Sequence, residues 1–115
     1  MKVRIHNGVA IVAPHGWLMG GDETDEFRRT IERVLAEGHA NVLIDLVDTE
    51  MLNSTAFGVL TFCHLACEQR GGRMVLCNVD RRIQHTMVVM GLALRFRTCG
   101  NERAGLAEFA VAAEA

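Results

Sequence analysis

Ser54 is the residue of this sequence with the clearest chemistry to offer. It stands in Asn53-Ser54-Thr55, just ahead of an apolar, helix-compatible stretch that closes at Arg70-Gly71-Gly72. Side-chain oxygens at such a boundary accept hydrogen bonds from the backbone N–H groups a helix leaves unpaired at its start. The same helix end carries the positive pole of the dipole and stabilises negative charge. A hydroxyl there can carry a phosphate, whose added charge of about −1.5 to −2 sits where it is tolerated. Two readings of Ser54 are open: a plain N-cap, or the site of a reversible charge switch. The cap itself falls on either Asn53 or Ser54.

The remaining reactive groups point to less. Of the four cysteines, Cys63 and Cys67 lie one helical turn apart, Cys77 falls in a strand and Cys99 near the end of the chain. Cys63-His64 with Cys67 makes one half of a metal site without a second half. Buried, reduced thiols are the expectation, with no metal and no cofactor. His6, His15 and His85 stand alone, without an acid or nucleophile at a telling spacing. Ser54 lacks a G-x-S-x-G elbow, and Gly20-Gly21 is not followed by the Lys-Ser or Lys-Thr of a phosphate loop. No catalytic site assembles, so the chain is expected not to be an enzyme.

The stretch after Ser54 decides what surrounds it. At 3.6 residues per turn, Ala56, Val59, Leu60, Cys63, Ala66 and Cys67 cluster on one side and read as core. Phe57, Thr61, His64 and Glu68 cluster elsewhere, with Ser54 on the margin one turn before Phe57. This spacing predicts an outward Phe57 beside a modifiable hydroxyl. Such a face would be a partner surface built from Asn53, Ser54, Thr55, Phe57, Thr61 and His64.

The other elements follow in order. Asn7-Gly8 between the apolar positions of residues 3–6 and 9–13 is a strong hairpin signal. Pro14 and Gly16 end the second strand, residues 17–21 form a link, and Asp22 is a plausible cap. Phe27, Ile31, Val34 and Leu35 then stripe a helix over residues 23–37, with Arg28, Arg29, Glu32 and Arg33 turned outward and a stop at Gly38. Val42–Leu46 is short and apolar enough for a buried strand, and Val47–Glu50 reads as a polar link. After the central helix come a strand over 73–79 and a short helix capped by Asp80, carrying Ile83, Met87 and Met90 and stopped by Gly91. A strand near 96–99 and a helix from Asn101, with Leu106 and Phe109 inward, complete the chain. A hairpin followed by alternating strands and helices predicts an α/β fold: one mixed sheet of about five strands flanked by about four helices.

With 115 residues, half of them apolar and under a quarter charged, the chain is expected to fold as one domain over 1–115. A net charge of −2 leaves no electrostatic footprint for nucleic acid. No apolar run reaches the ~18 residues that span a bilayer, and Met1-Lys2-Val3-Arg4 opens no signal-peptide core. A cytoplasmic location is expected.

The run Asp45-Leu46, a short loop, then Leu52-Asn53-Ser54-Thr55-Ala56-Phe57-Gly58 resembles the signature of STAS domains, in particular the anti-sigma-factor antagonists of bacteria. Their pattern is a strand ending D-L, then D-S-[ST]-G-L-G opening a helix. Val9–Gly16 resembles the family's second strand and Glu23–Glu37 its first helix. Gly71-Gly72-Arg73-Met74-Val75-Leu76 resembles the G-G-x-[LM]-V-L strand, and Met90-Gly91-Leu92 the turn after the third helix. Asn53, Ala56 and Phe57 stand where the pattern has Asp, Gly and Leu. The resemblance implies a single STAS domain that is a binding module. Its unphosphorylated form would capture an anti-sigma factor of the serine-kinase type; phosphorylation at Ser54 would release it and a phosphatase would reset it. A monomer or weak dimer is expected. The alternative within the same fold is a scaffold or adaptor in a stress-signalling or transport assembly, in which Ser54 is only a cap.

Overall fold

The computed structural model describes residues 1–114, with side chains through residue 110. Asn7 and Gly8 both take positive φ, 50° and 81°, the backbone that a two-residue hairpin turn needs. They join β1 (Lys2–His6) to β2 (Val9–Ala13) in antiparallel register, Val3 opposite Val12 and Ile5 opposite Ala10. Beyond the hairpin every pairing in the main sheet is parallel: β2 with β4 (Asn41–Asp45), β4 with β6 (Arg73–Cys77), and β6 with β7 (Arg97–Cys99). The result is a mixed five-stranded sheet in the order β1-β2-β4-β6-β7.

Both faces of this sheet are covered. Val42–Asp45 are all buried, which is why that strand reads as a continuous apolar run and not as an alternation. Ala10, Val12, Val42, Ile44, Met74 and Leu76 join a cluster with α1 (Asp22–Ala36), α2 (Ser54–Gln69) and α3 (Arg81–Val89). Val9, Ile11, Leu43, Val75 and Cys77 form a second cluster with Phe109 of α4 (Glu102–Glu114). Phe27, Ile31, Val34 and Leu35 all face inward from α1, as their spacing requires. Ile83 and Met87 face inward from α3, while Met90, the residue that ends it, is exposed.

Two segments read as links are strands. β3 (His15–Leu18) and β5 (Asp48–Leu52) pair in parallel as a small second sheet, Leu18 opposite Leu52. Three hydrogen bonds beyond its ladder frame it. The Thr49 hydroxyl donates to the Pro14 carbonyl at 3.0 Å, and the Thr49 amide donates to the Leu46 carbonyl at 3.1 Å. The Asn53 amide donates to the Leu18 carbonyl at 3.1 Å. Upstream, the buried Asp45 carboxylate accepts from the Val47 amide and from Asn78 Nδ2, each at 3.0 Å, and so fixes where β4 ends and the chain turns into β5. Polar strands four or five residues long carry little hydrophobic pattern, so periodicity missed them.

The small sheet has a consequence for the helices. β3 runs into α1 and β5 runs into α2, so pairing Leu18 with Leu52 sets the starts of the two helices side by side.

Candidate functional site

At the start of α2, Asn53 is the cap. Its Oδ1 accepts from the Ala56 amide at 3.1 Å, and its carbonyl accepts from the Phe57 amide. Ser54 is the first residue of the helix and is exposed. Of the amides a helix start leaves unpaired, that of Asn53 goes to Leu18 and that of Ala56 to Asn53. The amides of Ser54 and Thr55 remain. A charge on the Ser54 oxygen would therefore sit at two N–H donors that have no partner among the described residues, and at the positive end of a 16-residue helix.

The neighbouring turn comes close. Gly20, at φ +93°, passes so near that a side-chain carbon on it would lie 3.5 Å from Asn53 Nδ2 and 3.9 Å from Thr55 Oγ1. The Gly20 amide donates to Thr24 Oγ1 at 2.9 Å. Gly21, not Asp22, occupies the cap position of α1, and no side chain caps that helix. Asp22, Glu23 and Asp25 make its first turn acidic, which favours the helix electrostatically and gives the surface beside Ser54 a negative edge.

The exposed face of α2 differs from the expected one. Phe57 is buried, at 1% exposure, in the same cluster as Leu52, Ile83 and Met87. It is a core residue and cannot present a ring to a partner. Its position lies on the flank of the helix, and the core extends over that flank. Thr61 and His64 share the flank: the Thr61 hydroxyl donates to the Phe57 carbonyl at 3.0 Å, and His64 Nε2 lies 2.6 Å from Glu68 Oε1 with its ring edge-on to Phe96. Neither side chain is drawn toward Ser54. Ala66, expected in the core, is only half-buried.

The face that does look outward runs Ser54, Gly58, Phe62 and Leu65. Phe62 is 47% and Leu65 53% exposed. Beside them Thr55, Gly58, Val59 and Phe62 of α2 and Arg28 and Glu32 of α1 line an open groove of about 380 Å³. Gly58 leaves its floor low, since nothing lies within 4 Å of where its side chain would be. The sequence carried this signal in the spacing 54, 58, 62, 65, which is itself a helical stripe.

The thiols lie elsewhere. Cys63 and Cys67 are buried together on the core side of α2. The Cys63 thiol donates toward the Cys67 sulfur, which holds its pKa up, and burial adds to the effect. Burial, and then the nearby Asp45 carboxylate, push Cys77 up to about 12. Among the described residues no three His, Cys, Asp or Glu side chains converge in a way that could hold a metal ion.

The STAS domain profile matches residues 1–104. The chain belongs to the STAS domain family. No curated protein shows significant sequence similarity to it, but solved structures share its fold. A Thermotoga maritima protein classed as an anti-sigma factor antagonist superposes with a TM-score of 0.87 at 17% identity, over 95% of this chain and 93% of the other. An anti-sigma factor antagonist from Mycobacterium paratuberculosis gives 0.82 at 20% identity, over 95% and 92%. A sulfate transporter family protein from Wolinella succinogenes gives 0.79 at 19% identity, over 97% and 93%. At these identities the likeness lies in the STAS fold. Among the described residues no helix is long and apolar enough to cross a membrane.

Proposed function

We propose that this STAS domain is an anti-sigma factor antagonist: a binding module, not an enzyme, that captures a serine-kinase anti-sigma factor and is switched by phosphorylation at Ser54. The observation that carries the reading is the division of labour at the start of α2. Asn53 performs the capping, so the exposed Ser54 hydroxyl is spared for chemistry at a place where negative charge does not strain the fold. The capture surface is Ser54, Thr55, Gly58, Phe62 and Leu65 with the groove against Arg28 and Glu32. Asn53 contributes through the geometry it imposes, and Thr61 and His64 lie at the margin. A phosphate on Ser54 would add negative charge beside the acidic first turn of α1 and oppose burial of that edge in a complex. A phosphatase would restore the binding form.

The likeness to a sulfate transporter family protein favours a second reading, a scaffold or adaptor domain whose Ser54 is never modified. Intact mass of the protein from its own cells, before and after phosphatase treatment, separates the two: a phosphate-sized loss from Ser54 is expected. In a pull-down of the cognate kinase, Ser54→Asp should lose about 2–5 kcal/mol of binding, as for a charge buried without a partner. Phe62→Ala should weaken capture with little change in the melt. A Ser54→Asp protein that binds undiminished would sink the switch.

A further inference from the structure

The segment between Asp80 and Glu102 differs in charge from the rest of the chain. It holds none of the 14 acidic residues and four of the 12 basic ones, Arg81, Arg82, Arg95 and Arg97. All four arginines are exposed. Arg97 is held by Glu108, and Arg82 lies 3.6 Å from Asp80. Arg81 and Arg95 make no ion pair among the described residues. β5 packs against α3 and carries Asp48 and Glu50, but neither pairs with an arginine of α3.

The same segment carries an apolar tip. Val88, Val89 and Met90 at the end of α3 are exposed, and Leu94 in the turn beyond it is exposed completely. Gly91, at φ +73°, stops the helix, and the Leu92 amide returns to the Met87 carbonyl at 2.7 Å. The Arg95 amide then donates to the Leu92 carbonyl at 3.0 Å, closing a second turn that contains Leu94. Val88 and Ala93 line one small hollow of about 180 Å³, so this turn lies against the last turn of α3. The amides of Met90, Gly91, Leu92 and Arg95 are all bonded within the tip. These backbone groups can leave water without being orphaned.

We propose that this tip docks peripherally on an anionic lipid surface, with Val88, Val89, Met90 and Leu94 entering the headgroup boundary and Arg81 and Arg95 attracted to lipid phosphate. Apolar contact together with cations drawn to anionic headgroups is what holds surface segments at a membrane. Singly exposed apolar residues are ordinary, but four in one tip, flanked by unpaired arginines and no acid, mark an interaction surface. Lipid fits it better than a protein does. A standard protein interface takes about 800 Å² from each partner, more than four such side chains present, whereas a lipid layer requires no matching shape. The tip shares no residue with the groove between α1 and α2, so the proposal stands whether or not Ser54 is a switch.

The test is co-sedimentation of the protein with vesicles of phosphatidylcholine alone and of phosphatidylcholine with an equal part of phosphatidylglycerol. Sedimentation with the anionic vesicles is expected, and it should fall as sodium chloride is raised. Leu94→Ser and Arg95→Gln alter exposed side chains, so both variants should melt like the parent. Arg95→Gln should weaken vesicle binding about fivefold, the ~1 kcal/mol that one cation near an anionic surface supplies. Leu94→Ser should weaken it roughly tenfold or more, as for one leucine withdrawn from an apolar contact. Equal sedimentation with both kinds of vesicle, or undiminished binding by both variants, overturns the proposal. So does a parent protein that ignores anionic vesicles, which leaves the tip to an acidic protein partner. A concentration-dependent dimer that Leu94→Ser dissolves also overturns it, because the tip then seats a second copy of the chain.

Discussion

Replacing Asn53 and Ser54 one at a time separates structure from switch. Asn53→Ala removes the oxygen that accepts from the Ala56 amide at 3.1 Å. Ala56 is itself fully buried, so water cannot readily take over that bond. The loss should therefore fall in the upper part of the usual range for a cap, about 1–2 kcal/mol. Ser54→Ala touches an exposed side chain that does no capping, and should stay within about 0.5 kcal/mol of the parent. With a urea slope of roughly 2 kcal/mol per molar, Asn53→Ala moves the midpoint by about 0.5–1 M and Ser54→Ala barely at all. Asn53→Asp should hold the parent's stability or exceed it, because a carboxylate caps as well and interacts with the dipole. Equal losses at 53 and 54, or the larger loss at 54, would refute the division of labour on which the proposed switch rests.

Two further outcomes test the packing. Phe57→Ala should lower stability by about 3–5 kcal/mol in a denaturant melt, since it empties a fully enclosed ring site; a loss under 1 kcal/mol would mean the ring is not core. Alkaline pH probes Cys77. An unfolded thiol ionises near pH ~8.5, but the folded Cys77 holds its proton to about 12. The neutral folded thiol is therefore fully stabilising below pH ~8.5, and that contribution is lost as pH rises toward the folded value. Urea midpoints taken from pH 8 to 10 should fall, and Cys77→Val should make the decline shallower.

Much of the fold could be read from residue order because its signals are local. Asn7-Gly8 dictates a turn whose φ values only a few residue types accept. The stripe Phe27, Ile31, Val34, Leu35 has the helical period, and the apolar runs at 42–46 and 73–79 are too short for a helix and long enough for a buried strand. Asp80 stands where a cap was expected, accepting from the Ile83 amide, and Asn101 stands at the expected start of the last helix, accepting from the Ala104 amide. β3 and β5 escaped because what makes them strands is not in their own patterns. Thr49 reaching Pro14, and Leu18 lying opposite Leu52, are contacts between segments more than thirty residues apart. The polar residues of β5 announce a loop until its partner is known.

The site shows the same limit more sharply. A helical wheel gives each residue an angle but not the width of what covers the helix. On α2 the covered arc extends past Ala56 and Leu60 as far as Phe57, because the core cluster reaches over that flank, while the opposite flank is left open to the groove against α1. Phe57 and Phe62 are both large and both off the centre of the core face, so composition could not choose between them. The neighbours did. The stripe 54, 58, 62, 65 acquires its meaning from the small sheet that holds the starts of α1 and α2 together, for that pairing keeps Arg28 and Glu32 beside Gly58 and Phe62. A partner that docks on the hydroxyl of Ser54 must also read an apolar ridge and a mixed-charge wall. On the proposed reading, specificity for one kinase over another would lie in Phe62, Leu65, Arg28 and Glu32, and Ser54 would supply only the switch.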